Sequence, residues 1–432
     1  MKVKEVIWLI LIILGGVGIY YLQNFQLQID DWEIIPFSKG KVYQFEENLS
    51  LEPSSTIEIL NSHGQVEIEG SERNNIDVKL EKKIWRQNEE SARTVAEQLK
   101  ILTSKNGERL IISTNRDRLR KRNFSTDFKI YVPQNLKIKI TNSHGAVRIS
   151  RVREADVSNY HGRVEINEVT GSVRAVNSYE PLAIMDIGGE SQIETNYSTL
   201  LLSRLSGPIT VNCAHEEVRL FELRAPLHFF SKHSRIKAVG LAGPSEISGT
   251  YEPISITESG SLRIEGHHSP IEIDNLKGKL EIETSYEHIR LSRIEGTDLI
   301  IKSKDTEINL DSIQVNNIHL ETSYENVLAS NFSGQLLLIA SHNDISLKPS
   351  DLNHSINVQA DYSEIKFYWP DNQTARLEAE TKGGNISWQL PFSPDENRNN
   401  GLAIIKAFSQ AQDRPEIKLK TTYANIQILK KE

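Results

Sequence analysis

A His or Tyr recurs along this chain at a nearly constant spacing. The column is His144, His161, Tyr179, Tyr197, His215, His233, Tyr251, His268, Tyr286, Tyr324, His342 and Tyr362, with outlying copies at His63 and Tyr423. Asp305 keeps the place without the ring, and Gly383 does the same near the end. From 144 to 362 the gaps run from 17 to 20 residues, most of them 18. Three readings are open. A row of rings binds sugars or peptide chains through its aromatic surface. Imidazoles on neighbouring repeats hold zinc, although a tetrahedral site wants three or four converging ligands and a linear file offers two per step. The third reading is structural: a stack of rings that packs on itself and binds nothing.

The next column is Glu180, Ser198, Glu216, Ser234, Glu252, Ser269, Glu287, Thr306, Glu325 and Asn343, in which acid and neutral residues alternate. Carboxylates on adjacent repeats would lie ~4.8 Å apart and repel by about 1 kcal/mol even in bulk water. Skipping a repeat doubles that spacing and brings it near a Debye length. The alternation therefore reads as avoidance of stacked like charges, and the alternative is a row of cation sites. The densest basic run, "RDRLRKR", offers Arg116, Arg118, Arg120, Lys121 and Arg122 to an anionic polymer or lipid headgroups, or is a solvated loop. No catalytic residue is identified. Each candidate carboxylate belongs to a repeating column, whereas a catalytic pair needs a unique constellation. No phosphate-binding Gly loop, nucleophile elbow or H-E-x-x-H is present. The expectation is a protein that is not an enzyme, with no cofactor and no metal site.

The spacing dictates the elements that must carry these columns. Leu262 and Ile264, then Ile271 and Ile273, alternate with polar residues as half-buried strands do. Gly171, Gly207, Gly243, Gly278, Gly296 and Gly334 mark a turn about ten residues after each ring position. Two short strands and two turns fill one unit, which cannot bury its apolar side alone and must stack on its neighbours. The sequence thus predicts an all-β fold: a parallel β-solenoid, right-handed by the rule for parallel crossovers, of about fifteen rungs and ~70 Å.

Two segments break the period. Residues 71–135 hold a helical pattern over Gln87–Ile101, with Ala92, Val95, Ala96 and Leu99 on one face, and strands at "ERLIIST" and "FKIYVP". Residues 391–415 include "LAIIKAFSQA", which reads as a short helix. Both are expected to cap the stack, because end rungs expose unpaired strand edges. Residues 24–53 read as a polar tether or the first edge of the domain, and 54–432 as the solenoid domain.

The 432 residues are 25% charged and 38% hydrophobic, as in folded proteins, and the net charge of -8 argues against nucleic acid as a partner. Cys213 is the only cysteine, which excludes intrachain disulfides and Cys-based zinc sites. Val6–Leu22 is uncharged and just long enough to span a membrane, with aromatic residues near its ends and Lys2 and Lys4 before it. Residues 1–23 therefore read as a transmembrane anchor with the bulk of the chain exported. The alternative is a cleaved signal peptide, but no A-x-A-like site follows.

Three features resemble a bacterial putative-adhesin family built from β-strand repeats, with the head-GIN type as a close relative. They are the early rung "IEILNSHGQVEIEG" followed by a short helix, the "FKIYVPQNLKIKITNSHGAVRIS" stretch, and the run of rungs ending in Gly. The resemblance covers roughly residues 50 to 430 and implies fold rather than function, so no functional residue is transferred. Together these readings give a single-pass, membrane-anchored, extracytoplasmic solenoid acting as an adhesin-like binding or structural element of the cell envelope. Its partners would be the membrane and a glycan or envelope protein, with lateral self-association open. The alternatives are a sensor arm of an envelope-stress system or a polysaccharide-active β-helix enzyme.

Overall fold

The computed structural model describes residues 40–119, 123–391, 394–399, 401–408 and 415–431. The expected anchor at residues 1–23 and the segment 24–39 lie outside them. Among the described residues no helix is long and apolar enough to cross a membrane.

The chain is a right-handed parallel β-solenoid of about 13 turns with ~18-residue rungs. Each turn contributes one strand to each of two parallel sheets, and equivalent residues stand directly over one another. On one sheet, for example, Ala155 pairs with Val173, Val173 with Ser191, and Ser191 with Ile209. On the other, Val164 pairs with Leu182 and Leu182 with Leu200. The inward files are almost entirely Ile, Leu and Val at or near zero exposure, and they fuse into one continuous core. Period-two alternation puts every second residue into that core, while register keeps each apolar residue over the next. Removing a core side chain such as Leu202 leaves a cavity lined by its two file neighbours, which costs about 2–5 kcal/mol.

Both ends depart from sequence order. Strands β1 (Lys41–Leu51), β2 (Thr56–Leu60), β3 (Val66–Ser71) and β4 (Ile76–Arg86) come first. They are followed by helix α1 (Glu89–Gln98), β5 (Ile101–Asn106), β6 (Arg109–Thr114), β7 (Phe124–Pro133), β8 (Lys137–His144) and β9 (Val147–Val152). The β2/β3 rung lies between the β6/β7 rung and the β8/β9 rung, so the first rung in sequence is second in space. The same inversion closes the other end. Glu416–Thr422 inserts between Ile356–Asp361 and Arg376–Lys382. Ile426–Lys430 inserts between Glu364–Trp369 and Ile386–Trp388. The expected fifteen rungs in simple succession are therefore about 13 in sequence order, with two more layers at each end that the chain fills out of turn.

The outermost edges are covered by antiparallel strands. β5 pairs with β6, and β4 and β1 extend the other sheet from β7. Lys41–Leu51 is thus the first edge of the folded body, not part of a tether, because its backbone is satisfied along β4. Helix α1 forms where its composition predicts it. Asn88 caps it by accepting a hydrogen bond from the Ser91 amide, and Ala92, Ala96 and Leu99 pack on Ile84 and Phe124. The buried Lys82 ammonium donates to the carbonyls of Ala96 and Leu99 and pairs with Glu47 at 2.6 Å, satisfying the helix C-terminus.

At the far end "LAIIKAFSQA" is not a helix. Leu402–Phe408 is a strand, paired antiparallel with Arg376–Lys382 on one side and with Asp395–Asn399 on the other. Ala403, Ile405 and Ala407 point inward with period two, and the open edge of the last layer supplies ladder partners that a helix would leave unmet. On the other sheet the end strand Ile386–Trp388 is only three residues long, which limits the edge it offers.

This order has a consequence. Deleting residues 416–432 removes an interior layer rather than a free end. Hydrogen exchange on the truncated chain should show Arg376–Lys382 and Leu402–Phe408 losing protection together. Unchanged protection there would contradict the intercalated arrangement.

Candidate functional site

The His and Tyr column forms one corner of the coil and faces solvent. Tyr179, Tyr197, Tyr251, Tyr286, Tyr324, Tyr362 and Tyr423 are all more than half exposed. The rings lie face to face. Centroids of successive rings are 4.5–5.8 Å apart, and their planes diverge by 3–28° from His63 through Tyr286 and again from Tyr324 through Tyr423. Tyr423 stacks on Tyr362 at 5.2 Å because its rung is the inserted one, and Gly383 lies beyond it. Since each face is covered by the next ring, the file presents edges, hydroxyls and ring nitrogens to solvent. Flat stacking of a sugar on these faces is blocked along most of the file.

The corner backbone explains the residue choice. From Tyr179 onward the file residues adopt left-handed φ values, from 49° at Tyr362 to 77° at Tyr286. A residue with a Cβ is strained there by roughly 1–2 kcal/mol, and His, Asn and Asp tolerate the region better than most. Tyr does not share that tolerance, so its presence calls for compensation. A stacked aromatic pair returns about 0.5–1.5 kcal/mol, enough to offset the strain. In the first rungs the work is divided. His63 and His144 are followed by Gly64 at φ 133° and Gly145 at φ 122°, and a Cβ on Gly145 would meet the Gly64 carbonyl oxygen at 2.2 Å.

Beneath the ring corner runs a buried polar file. The Asn177 amide donates to the Glu180 carbonyl at 2.7 Å, and Asn142 and Asn159 do the same for Gly145 and Gly162. Cys213 belongs to this file, and burial pushes its thiol pKa up, so it is an unreactive core thiol. In the column after the rings, Ser198, Ser234, Ser269, Thr306 and Asn343 are buried, while Glu180, Glu216, Glu287 and Glu325 are exposed. The carboxylates are thereby held two layers apart.

The coil has a second corner of left-handed residues. Seven residues after each ring, Arg151, Glu168, Asp186, Arg204, Glu222, Glu258, Asn275 and Arg293 also carry left-handed φ values. Its signal was a polar column with the same period. This corner borders an open groove of about 630 Å³ lined by Arg151, Glu168, Asp186, Arg204 and Arg224. The charges there are partly spent on each other. Arg204 grips Asp186 with two hydrogen bonds of 2.6 and 2.7 Å, which hold the Asp186 carboxyl below its usual range. Among the described residues no three His, Cys, Asp or Glu converge as metal ligands.

The basic run does not act as a unit. Arg116 is buried in a 3-10 turn (Arg116–Arg118), donates to the Phe124 carbonyl at 2.7 Å and lies over that ring at 4.6 Å. It is a structural group and is not available as an anion contact. Arg118 is exposed, and Arg120, Lys121 and Arg122 lie outside the described residues.

Residues 247–429, less than half of the chain, match the model of the Toastrack DUF4097 family. The matched stretch runs through the sequence-ordered turns to the inserted last rung. The crystal structure of a putative cell adhesion protein from Clostridium sporogenes is 8% identical, with 90% of this chain and 100% of that one covered. Its TM-score is 0.16, and nothing about this chain follows from it. No curated protein matches the chain.

Two predictions follow from the corners. Tyr251→Gly relieves the left-handed strain that Tyr251→Ala keeps, so Gly should be the more stable variant by about 1 kcal/mol in urea unfolding, reversing the usual order within strands. The second concerns pH. Arg219 and Lys237 beside Glu217 hold its carboxyl at about 2, against 4.5 ordinarily. A depressed carboxylate stabilises the fold above its unfolded pKa, and that contribution is lost as pH falls through the folded value. The melting temperature should therefore fall between about pH 4.5 and pH 2. The double variant Arg219→Ala/Lys237→Ala should lose less over that window.

Proposed function

We propose that this protein is an exported, membrane-anchored β-solenoid that serves the bacterial envelope as an adhesin-like binding rod. The observation that carries the reading is the ring file: a solvent-facing row of hydroxyls and ring nitrogens repeating every ~5 Å along one corner. A row of that kind suits an extended polymer with its own regular hydroxyls or amides, a glycan strand above all, held edge-on by hydrogen bonds. The uncharged Val6–Leu22 segment behind two lysines supports the anchor and the export. A non-catalytic role accords with carboxylates that recur from turn to turn rather than converging in one cleft.

The test is cosedimentation of the soluble domain with insoluble cell-wall glycan. Asn tolerates left-handed φ, so Tyr179→Asn/Tyr197→Asn/Tyr251→Asn removes rings and their stacking while keeping the corner's backbone conformation accessible. The triple variant should stay folded by circular dichroism and remain in the supernatant while the parent pellets. A folded triple variant that pellets as the parent does would refute the reading.

A further inference from the structure

The ring file has one interior vacancy. Asp305 stands where a ring stands on the turns either side of it. The Tyr286 amide donates to the Lys304 carbonyl at 3.0 Å, and the Asp305 amide to the Ser323 carbonyl at 2.9 Å, which places Asp305 on the layer between Tyr286 and Tyr324. Tyr286 is stacked on His268 at 4.5 Å on its other side, and Tyr324 on His342 at 5.3 Å on its other side. These two tyrosines are thus the ones whose faces open onto a shared gap. Two layer steps set their rings about 10 Å apart. A group midway between them would lie about 5 Å from both centroids, inside the ~6 Å reach of a cation–π contact.

The local charge selects the occupant. Asp305 is half-buried, and among the described residues its carboxylate has no hydrogen-bond or ion-pair partner. Glu287 and Glu325 are exposed on the two flanking layers. Lys304 supplies the opposing charge: its ammonium lies over the Tyr324 ring, 5.8 Å from the centroid, so a cation of the chain's own already rests on that face and an incoming one must displace it. The spacing is 19 residues from 286 to 305 and again from 305 to 324, one more than on most turns. A flat cation that can also donate two parallel hydrogen bonds fits better than an ammonium, because it replaces the missing ring and meets the carboxylate in its own plane.

We propose that the slot formed by Tyr286, Asp305 and Tyr324 binds one guanidinium group, the side chain of an arginine on a partner protein. This site is discrete and does not depend on polymer binding along the rest of the file. Isothermal titration of the soluble domain with N-acetyl-arginine amide tests it, with N-acetyl-lysine amide and tetramethylammonium as comparison probes. The arginine probe should bind one-to-one with a millimolar dissociation constant that weakens with salt, and more tightly than either comparison probe. Asp305→Asn should weaken it about tenfold. Asp305→Tyr, which completes the stack and should raise the melting temperature, should abolish it. Lys304→Ala should tighten it by removing the resident cation. Absence of saturable binding, equal binding of tetramethylammonium, or binding retained by a folded Asp305→Tyr variant would overturn the assignment.

Discussion

The solenoid and its files depend on parallel strands pairing edge to edge, with equivalent residues of successive turns in register. A step of ~4.8 Å between layers falls within the centroid spacing of an offset-stacked ring pair and within the reach of an aliphatic side chain. Residues of one type therefore accumulate into files: Ile, Leu and Val inside, Asn, Thr and Ser beneath one corner, His and Tyr outside it. The left-handed corners make the coil possible and burden each turn with strain, and stacking in the ring file offsets that strain turn by turn. Fold and candidate site are for this reason the same object. A ring removed for functional reasons is also a stack removed from the corner.

The ends show how a one-dimensional stack avoids becoming a filament. An open parallel layer is a template for another chain. Here the first and last rungs of the sequence are the penultimate layers in space, and antiparallel strands from both insertions lie over most of the exposed edges. Terminal segments of a repeat array ordinarily fray first. In this chain they are each held between two other layers, so opening an end requires an outer layer to leave first.

Much of this was legible in the sequence. The 18-residue period, the apolar alternation and the ring column gave the solenoid and placed the rings in one file, and the "QNEESARTVAEQLK" stretch gave helix α1 with its buried face. What the sequence withheld is what depends on distant partners. Pairing of Glu416–Thr422 with Ile356–Asp361 crosses the whole C-terminal insertion, and no local pattern encodes which layer it enters. "LAIIKAF" has helical composition, and it became a strand because the edge beside it offered hydrogen bonds. Arg116 shares its charge with the rest of its run, but packing against Phe124 sets its role. The second corner is not legible in the sequence because its residues share only polarity and place, not chemistry. The vacancy at Asp305 was visible as a break in type, and its meaning required knowing that the rings on either side face it.

Engineered disulfides test most directly whether the chain winds as described. In a Cys213→Ala background, cysteines one layer apart in the ring file, Tyr362→Cys with Tyr423→Cys, should have Cα atoms about 5 Å apart, within the range a disulfide accepts. Cysteines two layers apart, Tyr362→Cys with Gly383→Cys, should lie about 10 Å apart and beyond it. The account predicts that mild oxidation links the first pair in a folded, monomeric chain and leaves the second free. Linkage of the second pair and not the first would show that the layers follow the order of the sequence, and linkage of neither would show that the rings do not stand in one file.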